Sequence, residues 1–208
     1  MTTRAAPAHL ALLAACLAVF LWSVIRPHDY PTWALETFPV MLGVPALVWL
    51  YPRFRFTTLV YVLVLLHASI LMVGGHYTYA EVPLFSWLRD AHLGLIRNDF
   101  DRLGHFAQGF VPALIAREVL LRRSPLKRGA WLAFLTVCFC LALSASYELL
   151  EWAVAEASGT AADAFLATQG DPWDTQWDMF TALVASLLSL LLMTRWHDRQ
   201  LKALHPPV

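Results

Sequence analysis

The stretch "DPWDTQWDMFTALVASLLSLLLMTR", residues 171–195, sets three aspartates and two tryptophans directly before an apolar run that meets no further charge until Arg195. A helix needs about 20 apolar residues to cross a hydrocarbon core of about 30 Å. Residues 174–196 therefore read as a membrane span whose first turn is polar. Asp171 is placed as the helix N-cap, with Pro172 at the first helical position, where its missing N–H costs nothing. Asp174 then falls in the first turn, at the positive end of the helix dipole. Asp178 has neither role. It lies roughly 9 Å into the helix and shares a face with Asp174, so the two like charges require a cation, a proton or a donor between them.

Composition agrees with the span. Of 208 residues, 59% are hydrophobic and only 14% charged, against about 25% charged in soluble domains. The formal net charge is zero, which removes any global electrostatic case for nucleic acid. Cys16, Cys138 and Cys140 all lie inside apolar runs and read as small buried hydrophobes rather than a disulfide or zinc framework.

Six segments approach membrane length: 8–26, 33–51, 56–75, 103–122, 129–154 and 174–196. The second contains Glu36, Pro39 and Pro45 and is read as a kinked span, because neighbouring helices re-satisfy the freed backbone. The first continues through "VFLWSVIRP" without a polar cleavage region and is read as an uncleaved anchor. An inside N-terminus places Arg4, Arg53, Arg55, Arg117, Arg122, Arg123, Lys127, Arg128, Arg195, Arg199 and Lys202 in the cytoplasm and only Arg26, Arg89, Arg97 and Arg102 outside. This strong positive-inside asymmetry puts both termini in the cytoplasm. The long outer loop, about 76–102, carries Leu84, Trp87, Leu88 and then Ala91 or Leu95 at helical spacing, the pattern of a short amphipathic interfacial helix. The expectation is an all-α integral membrane protein: one transmembrane domain over 1–208, a bundle of about six helices with an interfacial helix in the outer loop.

Polar residues within spans are costly and need a reason. In "NDFDRLGHFAQG", Asn98 or Asp99 can cap the fourth span, while Asp101, His105 and Gln108 form one stripe at its outer end. An aspartate four residues before a histidine can orient the imidazole for metal binding or proton transfer. In "SASYELLEWAVAEASG", Glu148 and Glu151 share a face near a helix C-terminus, where the dipole opposes them. The fourth and sixth spans begin outside and the fifth ends there. His105, Glu148, Glu151, Asp174 and Asp178 should therefore lie at one depth, with His76 and Glu36 at the rim.

Oxygen and imidazole ligands without thiolates suit Mg, Mn or Zn. The candidate metal ligands are His76, Asp101, His105, Glu148, Glu151, Asp174 and Asp178; the candidates for catalysis are Asp101, His105, Glu148, Glu151 and Asp178. Such a site could act on an envelope lipid or lipid-linked substrate. The alternatives are a proton-coupled small-solute transporter and a non-catalytic accessory protein. His67, midway along the third span, reads as an interhelical hydrogen bonder. "AREVLLRRSPLKRG" reads as a cytoplasmic anchor near anionic lipid.

The blocks "GGHYTYAEVP", "NDFDRLGHFAQGF", "SASYELLEW" and "TQGDPWDTQWDM", in this order between hydrophobic helices, resemble the YjdF-like group of bacterial inner-membrane proteins. More loosely, "DRLGHF" and "DTQWDM" resemble the VanZ-like proteins. The first resemblance runs from about Glu36 to Trp196 and implies a multi-pass protein of the bacterial inner membrane, without supplying a reaction. It marks His76, Tyr77, Asp101, Arg102, His105, Gln108, Glu148, Glu151, Asp171, Asp174 and Asp178.

The topology is checked with reporter fusions. A reporter that fluoresces only in the cytoplasm should be active when fused after Val208 and inactive when inserted after Ala91.

Overall fold

The computed structural model describes residues 5–91, 96–158 and 168–204. Their regular elements are helical: α1 Pro7–Ser23, α2 Tyr30–Leu50, α3 Thr58–Tyr77, a 3-10 turn Tyr79–Glu81, α4 Pro83–Asp90, α5 Phe100–Arg123, α6 Ala130–Ser158 and α7 Asp174–Leu204. The six expected spans correspond to α1, α2, α3, α5, α6 and α7, and α4 is the short helix of the long loop. It ends at Asp90, so Leu95 of its expected pattern lies outside the described residues. Four helices, α2, α3, α6 and α7, are long and apolar enough to cross a membrane; α1 is apolar but shorter, at 17 residues.

Large apolar side chains cover the outside of the bundle, among them Leu42 and Trp49 on α2, Trp131 and Phe134 on α6, and Leu191 and Leu192 on α7. Water would penalise that surface and hydrocarbon does not. Several hydroxyls within the spans return to their own helix: Ser69 donates to the Leu65 carbonyl, Thr136 to Leu132 and Ser146 to Ala142, which pairs them where no water is available.

The least apolar long helix is α5, and it lies inside. It packs against α3, α6 and α7, while α1 and α2 rest on α3. Both α5 and α7 run from the end of the bundle that holds Asp101 and Asp174 toward the end that holds Arg117 and His197. Their facing positions step together every four residues: Asp101, His105, Gly109 and Ala113 on one, Asp174, Asp178, Ala182 and Ser186 on the other, and all of them are buried. At the middle level the helices touch through backbone. A Cβ at Gly109 would collide with the Ala182 carbonyl, so only glycine permits the approach.

At the basic end, Glu118 is fully buried and fully paired. It accepts from the Thr57 N–H at 3.2 Å, the Thr57 hydroxyl at 3.0 Å, His197 Nε2 at 3.0 Å and the Arg122 guanidinium. Arg117 donates to His197 Nδ1 at 3.0 Å and to Asp198 at 2.7 Å. A guanidinium cannot accept, so His197 carries its proton on Nε2 and gives it to Glu118. Gln200 Oε1 takes the Leu59 N–H at 2.9 Å. Glu118 and Gln200 thereby satisfy donors at the start of α3. Below them Arg122 lies 3.8 Å over the Phe54 ring. What reads in sequence as a basic anchor also contains this inward-facing network.

The start of the last span differs from expectation. Helix α7 begins at Asp174, and Asp171 and Pro172 lie in the turn before it. Asp171 closes a local turn by accepting the Trp173 N–H at 2.9 Å, while Arg102, at the start of α5, takes its other oxygen and, with Arg97 just before α5, Asp174. The local capping rule loses to these long-range ion pairs.

Gly109→Ala is expected to lower stability by about 1–3 kcal/mol through overpacking, read as a fall in melting temperature of the detergent-solubilised protein. Glu118→Ala strands His197, Arg122 and the Thr57 N–H, and a loss of about 3–5 kcal/mol is expected. Glu118→Gln, which keeps two of the contacts, should lose less in the same measurement.

Candidate functional site

Tyr79 is the piece around which the acidic end is assembled. Helix α3 stops at Thr78, a buried residue in the left-handed region at φ 52°, and the 3-10 turn swings Tyr79 back into the bundle. Its ring lies against Gly74 of α3 and Gly104 of α5. A Cβ on Gly74 would run into the ring, and one on Gly104 would stand 2.9 Å from it. The glycines of "GGHYTYA" and "DRLGHF" thus make one seat. Asn98 pins the start of α5 by donating to the Val82 carbonyl and Ser86 hydroxyl, each at 3.0 Å, and by accepting the Phe100 N–H at 3.2 Å. Asp99 stands at the helix start without a side-chain cap.

Two arginines organise the outer acids. Arg97 pairs with Asp174 and lies 3.7 Å from Asp99, Asp101 and Asp171. Burial works against its charge, but the hydrogen bond and charge of Asp174, with Asp101 and Asp178 behind it, hold its pKa above the ordinary arginine value. Arg102 reaches Asp171 at 3.0 Å, Asp174 at 3.2 Å and Asp178 at 3.5 Å, with the Trp177 ring at 5.9 Å.

Deeper in, the pairing thins out. Asp101, His105 and Asp178 are all buried, and one ligand atom from each lies within 4.8 Å of the others. His105 Nδ1 is 3.1 Å from Gln108 Oε1 and 3.6 Å from Glu148 Oε1, while Nε2 is 3.6 Å from Asp101 Oδ1. A proton on Nδ1, donated to Gln108, leaves the Nε2 lone pair facing the aspartates. Asp178 Oδ1 and Glu148 Oε1 are buried without a hydrogen-bond partner in residues only 2% and 6% exposed. Six carboxyls (Asp99, Asp101, Glu148, Asp171, Asp174 and Asp178) thus gather about two guanidiniums, an excess of acid inside a bundle that faces hydrocarbon.

On the other side of His105 lies a cavity of about 20 Å³, lined by Glu36, Tyr79, Asp101, Gln108, Tyr147 and Glu151 among others. That space suits one water-sized occupant. Tyr147 donates to Glu36 Oε2 at 3.2 Å, so Glu36 belongs to the wall of the site rather than its rim. Pro112, one turn below Gln108, supplies no N–H to the Gln108 carbonyl.

Of the residues singled out in sequence, the structure brings together Asp101, His105, Gln108, Glu148, Glu151, Asp174 and Asp178, with Arg102 and Asp171 above them. His76 and Tyr77 lie apart. His76 Nδ1 is 3.0 Å from the Ser23 carbonyl, and its ring packs on Trp22 and Tyr77, which turns it toward α1. His67 lines an apolar groove below the site. Arg97, Tyr79 and Tyr147 are the additions. Arg97 counts in sequence only as an outer-loop charge, though its place four residues before Asp101 is a usable signal. Tyr79 has none, because its seat is made by two other elements.

Residues 8–199 match the model of a family described as predicted membrane protein (DUF2238). The inner membrane protein YjdF of Escherichia coli (strain K12) is 49% identical over 184 residues, which cover 88% of each chain. No solved structure matches. With its apolar helices and a match across nearly its whole length, the chain belongs to this family of membrane proteins.

Proposed function

We propose that the acidic end of α5 and α7 faces the outside of the inner membrane and binds one divalent cation on Asp101, His105 and Asp178, with Glu148 as a further oxygen ligand. The cation and its surroundings then bind or modify the phosphate-bearing end of an envelope lipid or lipid-linked molecule. The observation that carries this reading is the buried set of two carboxylates and an imidazole with ligand atoms within 4.8 Å of one another, beside carboxylate oxygens that have no hydrogen-bond partner. Like charges at that burial repel, the guanidiniums of Arg97 and Arg102 reach Asp101 and Asp178 only at 3.7 and 3.5 Å, and a dication would offset the remaining repulsion. The mixture of carboxylates with one imidazole suits Mn²⁺ or Zn²⁺ better than Mg²⁺. A bound dication would polarise a phosphate or carbonyl oxygen. Glu148, with one oxygen free of hydrogen bonds, would serve as that further ligand or accept a proton, and Arg97 and Arg102 supply positive charge at the mouth.

The reading favours binding or chemistry at one membrane face over transport. Below His105 the direct contact between Gly109 and the Ala182 carbonyl puts close-packed backbone where a proton or solute path along α5 and α7 would run. The outward orientation follows from the clustering of Arg53, Arg55, Arg117, Arg122, Arg123 and Arg128 at the opposite end.

Full-length protein purified in detergent and dialysed without chelator should carry close to one Mn or Zn per chain by elemental analysis, and Asp178→Asn and His105→Ala should carry less than a tenth of that. Adding metal at 100 times its Kd should stabilise the wild type by about 2.7 kcal/mol and leave Asp178→Asn unmoved. A folded wild type with negligible metal and no metal-dependent shift in melting temperature would overturn the proposal.

A further inference from the structure

Helix α2 carries Pro39, Gly43 and Ala46 on one face, and that face is hollow. A cavity of about 390 Å³ runs along it, with α3 and α5 forming the other walls through Ala68, Leu71, Val111 and Ile115. α2 rests on α3 rather than closely on α5, and a Cβ added to Gly43 meets nothing within 4 Å. The hollow is therefore a standing feature of the backbone arrangement. From Pro39 to Leu50 it extends about 16 Å at 1.5 Å per residue. At its basic end the groove meets Phe56, which belongs to a buried cluster with Phe54, Leu59, Val60 and Leu114 against which Leu47, Leu50 and Ile115 pack.

The other end adjoins the polar site. Leu71 lines both the groove and the small cavity beside His105, and Glu36 stands one turn above Pro39 and Val40 on α2. The two adjoining spaces differ in character: carboxylates and an imidazole line the small cavity, and apolar residues with His67 line the open groove. Its length matches about half of a hydrocarbon core of about 30 Å, the depth that one fatty acyl chain fills. A chain several times longer would not end at Phe56.

We infer that the groove between α2 and α5 holds one acyl chain of a phospholipid whose phosphate lies at the acidic end. This rests on the proposed cation site for the phosphate and names the lipid class that the site would take. The second acyl chain stays in the bilayer, because the groove has room for one. The groove's place within a membrane bundle makes hydrocarbon the available occupant, and the polar cavity on the other side of Leu71 sets which end the phosphate takes.

The test uses full-length protein in detergent, titrated with phosphatidylglycerol, with undecaprenyl phosphate and with inorganic phosphate, and read by native mass spectrometry. Gly43→Phe fills the groove from a position with open space, and Ala46→Phe, one turn lower, is a second occlusion. Melting temperatures identify which variant is folded. The expected result is retention of one phosphatidylglycerol by the wild type and at least a tenfold weaker retention by the folded occluded variant, with metal content unchanged. Equal retention by wild type and variant would overturn the inference, as would preferential retention of undecaprenyl phosphate or none of either lipid. A metal-free wild type that still loses phospholipid on occlusion would remove the cation site and leave the acyl slot standing.

Discussion

Two helices with charge at both ends and small residues between can cross a bilayer only against each other, and α5 and α7 do so. The contact between Gly109 and the Ala182 carbonyl brings the backbones close enough for side chains at each end to reach across. Desolvating those charges is expensive, and a buried charge is tolerable only when it is paired with good geometry. Both ends therefore depend on the middle. Widening the seam would lengthen the Glu118–His197 pair at 3.0 Å and also the contacts among Asp101, His105 and Asp178.

The two ends solve the problem differently. At the basic end the buried side chains have definite partners: Glu118 accepts several donors, and His197 is held in one tautomer between Arg117 and Glu118. At the acidic end two arginines hydrogen-bond the outer aspartates, while Asp178 Oδ1 and Glu148 Oε1 have only longer charge contacts, to Arg102 at 3.5 Å and His105 at 3.6 Å, and no hydrogen bond. A purely structural network gains nothing from leaving buried carboxylate oxygens uncommitted. That asymmetry distinguishes the acidic end as a candidate for chemistry and the basic end as a fastening.

Spans, the interfacial helix and most of the acidic cluster are legible in sequence because they follow from helical periodicity, dipoles and depth. Asp178 stands out since no capping role reaches it, and His105 and Glu148 follow once three helix ends are set at one level. The residues that escape notice depend on contacts between elements. Tyr79 matters because Gly74 and Gly104 leave room for it. Glu118 hides in a basic stretch, and its buried role appears only when Thr57 and His197 arrive from elsewhere. Asp171 and Pro172 satisfy every local rule for starting a helix. The helix nevertheless starts at Asp174, because Arg97 and Arg102 set where those carboxylates must be.

The four-residue step shared by α5 and α7 has a consequence for folding. Gly109 and Ala113 against Ala182 and Ser186 make a nearly uniform track, along which one helix could shift by a turn at small cost in packing. The end groups forbid that displacement. A one-turn slip would carry Asp178 to the level of Gly109 and leave His105 facing the wrong aspartate. At the other end it would draw His197 away from both Arg117 and Glu118. The small residues allow the helices to meet, and the charges choose the single register in which they stop, as isolated polar positions do in coiled coils.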